Sequence, residues 1–373
     1  MADPRVSKLA QVLTHYSLSL RKGDLFLIRG TPASEPLVRE VYREAVKMGA
    51  NPFVDMIIDG LDEILLKDGT EEQIKYVSPL VLDKMKKIDA QLGVLASANT
   101  KGLSGVDPKR LGWAQVARKP VMSIFMDRAA KGDLRWCLTQ FPCHSSAQDA
   151  DKSLSEYEDF VYDAGFLNDK DPVKRWQTLS RQQAKLAKIL NKARTVRIKA
   201  DGTDVTVGVK GRKWINCDGK LNFPDGEVFT GPVEDSVNGT VKFSFPAVHL
   251  GREVTGIRLT FEKGKVVKAE ADKGRDFLQS IIKTDAGASY LGEFAIASNY
   301  NIQNYSRNTL FDEKIGGTFH MALGKSYPET GGKNVSGLHW DIVCDLRKGG
   351  EIHVDGELLQ RNGKFLNKEF PQP

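Results

Sequence analysis

At 373 residues the chain is too long for one ordinary core, so two domains are expected. Hydrophobic residues make up 40% and charged residues 27%, the balance of a globular protein, and no apolar run approaches the roughly 18 residues a membrane helix needs. The net charge of +6 comes from Lys and Arg scattered among acids, as in Asp83-Lys-Met-Lys-Lys-Ile-Asp89, with no basic stripe, which argues against nucleic acid as a partner.

Four well-separated cysteines, Cys137, Cys143, Cys217 and Cys344, form neither a disulfide framework nor a zinc-finger set. The N-terminus lacks the charged-then-apolar pattern of a signal peptide, so a cytoplasmic protein with no membrane partner is expected.

The first half alternates helices and strands. Val6, Leu9, Val12 and Leu13 mark a helical stripe, and Leu25–Ile28 a short apolar run suited to a strand buried on both faces. Leu37, Val38, Val41 and Ala45 follow with helical period, then strand 51–58, a helix over 71–88 and strand 90–96. A fourth strand is expected over 121–125 and another over 134–142. Ser153 or Ser155 caps one helix, and Pro172 opens a long one through Asn191. Alternation of this kind implies a mostly parallel α/β sheet over residues 1–193. Its first strand-to-helix turn, Arg29-Gly-Thr-Pro-Ala-Ser34, carries no dinucleotide or phosphate-loop fingerprint. The chain also lacks His-Glu-x-x-His and Gly-x-Ser-x-Gly.

From Thr195 the period changes to two. Hairpin-like runs over 196–200 and 205–209, further strands to 271, a helix over 276–283, and strands near 342–345 and 351–355 give a mostly antiparallel β domain over 194–373. His339 and Asp341 lie two apart in an apolar strand and so project from one face. His320, Glu293 and Glu313 fall in the same window, and imidazoles mixed with carboxylates are zinc, cobalt or manganese ligands. The alternative is an ordinary strand hydrogen-bonding pair. Glu227, just after the Pro224-Asp-Gly turn, is either an exposed turn acid or a buried one that needs a partner.

Pro224-Asp-Gly-Glu-Val-Phe-Thr-Gly-Pro232, Gly292-Glu-Phe-Ala295, Asn308-Thr-Leu-Phe-Asp-Glu313, His320-Met-Ala-Leu-Gly-x-x-Tyr327 and His339-x-Asp341 stand in order along the chain, preceded by Arg135-Trp136 and Pro142. Together they resemble the thermophilic metalloaminopeptidases typified by aminopeptidases T and S. The resemblance implies an α/β N-terminal domain, a C-terminal domain with a two-metal site, and a homodimer acting on peptides with a free N-terminus. It places metal ligands at Glu227, Glu293, Glu313, His320, His339 and Asp341, and catalytic roles at Tyr327 and Glu313. Tyr327 would donate to the oxyanion, and Glu313 or Glu227 would shuttle a proton. Lys314 replaces the family's usual Asn, and a longer gap to His320 follows, so Glu313 is ligand, base or neither. A dipeptidase, an amidase or a non-catalytic scaffold on the same fold are the alternatives.

Overall fold

The computed structural model describes residues 3–373. The chain divides into two compact units, the first reaching Val173 and including Lys220–Phe223, the second comprising Lys174–Gly219 and Pro224–Pro373.

The first unit is α/β. Its sheet is parallel, with spatial order Asn51–Met56, Leu25–Gly30, Ala90–Leu95, Arg135–Gln140 and Asn222–Phe223. Phe26, Leu27 and Ile28 are fully buried, as a strand covered on both faces requires.

The strand expected over 121–125 is instead part of a helix, Pro108–Lys131. Asp107 caps it through Lys109 N–H, Pro108 takes the first turn, and Gly132 closes it in the left-handed region. A five-residue stretch with four apolar residues cannot separate strand from helix. Here Val121, Ile124 and Phe125, at helical spacing, pack on Leu27, Met85, Ile88 and Leu134. The helix expected over 71–88 is broken into Glu71–Lys75 and Pro79–Lys87, because Pro79 has no N–H and opens a new helix capped by Ser78. The long helix begins at Pro172 as expected and ends at Leu190. From Lys174 onward it is part of the second unit, where Leu186, Ala187 and Leu190 join the core. Among the described residues no helix is long and apolar enough to cross a membrane.

The second unit is built on antiparallel sheets. The Thr195–Ala200 and Thr203–Gly208 hairpin turns at Gly202, whose φ of +67° favours glycine, and sits inside an eight-stranded sheet. A five-stranded sheet runs in the order His339–Asp345, Thr318–Gly324, Leu291–Ala297, Glu227–Thr230, Ile215–Cys217. Both sheets contribute to one core, Val196, Ile198, Val205 and Val207 from the first and Phe294, Ile296, Phe319 and Met321 from the second.

The five-stranded sheet is two-faced. Phe294, Ile296, Phe319, Met321, Leu323, Trp340, Ile342 and Cys344 point into the core. By the alternation of a strand, Glu293, Ala295, Ala297, His320, Ala322, Gly324, His339 and Asp341 occupy the other face. Two alanines and a glycine sit opposite ligand-type residues, with Ala295 facing His320, Ala322 facing Asp341 and Gly324 facing His339. Small partners leave room between the polar side chains.

Candidate metal centre

One irregularity sets the site. Leu291 pairs with Leu323, but Glu293 pairs with Ala322, so the strand gains one residue at Gly292. Without that bulge Glu293, two residues after core-facing Leu291, would point into the core; the slip turns it to the polar face. A Cβ at Gly292 would come within 2.2 Å of the Gly324 carbonyl oxygen, so only glycine fits there.

Neighbouring strands then bring Glu227, Glu293, His320, His339 and Asp341 together. Glu293 Oε1 lies 3.3 Å from His320 Nε2, and its Oε2 lies 3.3 Å from His339 Nε2. Asp341 Oδ2 is 3.5 Å from His339 Nε2, and Oδ1 is 3.9 Å from His320 Nε2. Glu227 Oε2 is 3.6 Å from His320 Nδ1. The ligand-type atoms fall into two groups that share Glu293, namely Glu227–Glu293–His320 and Glu293–His339–Asp341, each within 4.8 Å.

Both imidazoles are oriented from behind. His339 Nδ1–H donates to the Lys325 carbonyl at 2.9 Å, and His320 Nδ1–H to the Glu313 carbonyl at 3.2 Å. Each ring thereby turns Nε2 towards Glu293 and Asp341, the tautomer a metal ligand needs. Glu227 Oε2 and Asp341 Oδ1 are buried without a hydrogen-bond partner. Orphaned buried carboxylate oxygens are costly, and a cation beside each would relieve that cost. The residues therefore fit divalent ions of the zinc, cobalt or manganese type.

The charges say the same. Burial pulls the His320 imidazole down, but the Glu227 and Glu293 carboxylates outweigh it and hold it up at about 10. His339 follows the same balance, burial against Glu293 and Asp341, and is raised to about 9. Glu293 would rise by burial, but its bonds to the two imidazoles hold it down at about 2. Burial pushes Asp341 up to about 7, with the Glu313 carboxylate adding to it. Burial likewise raises Glu227 to about 8, against the pull of Lys314 and His320. Protons on the imidazoles thus stand where metal would bind.

Metal must displace those protons. Lowering pH keeps both imidazoles charged and opposes binding, so affinity should rise with pH up to about 9 for His339 and about 10 for His320. Each proton displaced weakens binding roughly tenfold per pH unit below those points. Zinc titrations by calorimetry, in buffers of different ionisation enthalpy at pH 7, should show net proton release; pH-independent affinity from pH 6 to 9 would contradict it.

The remaining expected residues lie differently. Tyr327 is 37% exposed, its ring 5.2 Å from that of His339 and 5.3 Å from that of Phe229. Burial and the Glu293 and Asp341 carboxylates push its phenol further up, so it stays a donor. Glu313 is the C-cap of a short helix, Thr309–Asp312, and its carboxylate lies 2.6 Å from Lys314 Nζ, outside both groups that share Glu293. What Glu313 gives His320 is its backbone carbonyl.

Two neighbours escaped the sequence reading as site residues. Lys314 is fully buried; burial alone would lower its ammonium, yet Glu227, Glu313 and Asp225 hold it well above its ordinary value. Asp225 forms a third candidate group with Cys217 and Glu227, and burial raises it to about 7. The signal for Asp225 was its place in the Pro224-Asp-Gly turn, directly before Glu227.

The chain is 27% identical to aminopeptidase 2 of Geobacillus stearothermophilus, covering 97% of this chain and 95% of that protein. It is 28% identical to aminopeptidase T of Thermus thermophilus, over 94% and 91% of the two chains. The solved structure of wild-type AmpT from Thermus thermophilus superposes with a TM-score of 0.85 at 25% identity, covering 98% of this chain and 99% of that one. A 2,5-dihydroxypyridine dioxygenase from Pseudomonas putida KT2440 shares the fold alone, at a TM-score of 0.61 and 12% identity, covering 99% of each chain. One scaffold thus carries unrelated activities, and the site has to decide between them. The model of the thermophilic metalloprotease (M29) family matches residues 2–365, and this chain, a peptide hydrolase, belongs to that family.

Proposed function

We propose that the protein is a metal-dependent aminopeptidase that releases N-terminal residues from peptides at a two-ion centre. The observation that carries this reading is Glu293, whose two oxygens face two separate ligand groups. Glu227, Glu293 and His320 would hold one ion, and Glu293, His339 and Asp341 the other. When bound, such ions supply a Lewis acid for the scissile carbonyl and an acidified water.

The chain's own residues do the rest. Lys325 and Glu313 fix the imidazoles through backbone carbonyls, so both rings are held ready to bind. The protonated Tyr327 hydroxyl, beside His339, donates a hydrogen bond to the developing oxyanion. Glu313 serves here as a positioning residue, through its carbonyl on His320 and its carboxylate on Lys314. We extend the proposal to a homodimer, supported by the exposed row Val54, Met56, Ile57, Ile58, Leu61 and Ile64 of the first unit, which is unusually apolar for a free surface.

Leucyl p-nitroanilide should be cleaved, and its N-acetyl form at least about 100-fold more slowly, because acetylation removes one directed charged contact. Equal rates on both would move the activity to an amidase or endopeptidase.

A further inference from the structure

The two ligand groups are not equivalent, and the difference is a lysine. Lys314 Nζ lies 2.6 Å from Glu313 Oε2 and 3.7 Å from Glu227 Oε1, with its side chain 1% exposed. Its backbone is pinned on both sides. The Lys314 N–H donates to the Phe311 carbonyl at 2.9 Å, and the Asn299 N–H donates to the Lys314 carbonyl at 3.2 Å. The burial of the side chain shuts the ammonium off from solvent. Among the described residues, neither Glu293 nor Asp341 pairs with a lysine or arginine; their partners are the two histidines.

We propose that Lys314 is a resident cation at one end of the centre, making the Glu227–Glu293–His320 position the weaker of two metal positions. This rests on the two-ion reading above. An ion there shares Glu227 with a fixed ammonium and meets a like charge close by. An ion at Glu293–His339–Asp341 meets no such charge. A single like charge within about 4–6 Å shifts the binding of one proton by 1–3 pH units, or about 10–1000-fold, and a divalent ion responds at least as strongly. A lysine that merely neutralised spare carboxylates would leave the gap between the two positions unchanged when it is replaced. Lys314 is thus a positioning residue for charge, and it sets the order of filling.

The test is a calorimetric titration of the metal-stripped full chain with cobalt(II), with bound metal counted by elemental analysis. Wild type should show two steps at least about tenfold apart. Glu227→Gln should remove the weaker step, and Asp341→Asn the tighter one. Lys314→Met, close in length but neutral, should narrow the gap at least about tenfold. Should Lys314→Met fail to fold, wild type and Glu227→Gln still decide. Two equal steps in wild type, a weaker step that survives Glu227→Gln, or an unchanged gap in a folded Lys314→Met would each overturn the inference while leaving two ions in place. At most one ion bound at saturating cobalt would overturn the two-ion reading and this inference with it.

Discussion

Glu293→Gln should empty both metal positions at once and lower turnover by at least about 10³-fold. The loss follows from Lewis-acid stabilisation worth several kcal/mol, at about 1.4 kcal/mol per decade of rate. Glu293 is the residue the two ligand groups have in common, with one oxygen 3.3 Å from each imidazole. Glutamine keeps the volume but offers one oxygen and no charge. It also removes the anion between His320 and His339, so two buried imidazoles confront one another and each favours its neutral form. Asp341→Asn is the contrast, since Asp341 belongs to one ligand group, reaching His320 of the other only at 3.9 Å, and the change should spare the other ion. Elemental analysis of both variants, beside kcat on leucyl p-nitroanilide, separates them. Glu293→Gln with two ions and near-normal turnover would remove Glu293 from the centre.

How much of this was legible in the sequence differs from residue to residue. His339 and Asp341 were readable because strand period is local: two apart in an apolar run means one face, and the structure puts them 3.5 Å apart. Pro172 as a helix start was readable for the same reason, since its missing N–H suits only a first turn. The strand expected over 121–125 failed because its evidence was four apolar residues around Ser123, while the helix signals lay farther out at Asp107 and Gly132.

Glu293 marks a deeper limit. Pure alternation from Leu291 would have buried it in the core, and only the bulge at Gly292 turns it to the site. The glycine was visible, but its meaning depends on Gly324 of the next strand, 32 residues away in sequence, whose carbonyl leaves no space for a Cβ. Lys314 is another such case. In sequence it is a replacement in a motif; only folding shows that its charge is sealed against Glu313 and Glu227. In the fold the Glu313 carbonyl meets the His320 ring and its carboxylate turns to the lysine.

Metal removal is the other large effect and the most direct test. The buried cluster contains two carboxylate oxygens with no hydrogen-bond partner, two imidazoles turned Nε2-first, and one carboxylate shared between groups. None of these groups can by itself polarise a peptide carbonyl as strongly as a divalent ion. The protein should be dialysed against a chelator until elemental analysis finds no bound metal, then assayed on leucyl p-nitroanilide before and after readdition of zinc, cobalt or manganese. The expected result is a loss of at least about 10³-fold, with recovery in proportion to metal bound. Full turnover in a verified metal-free sample would contradict a metal mechanism at this site.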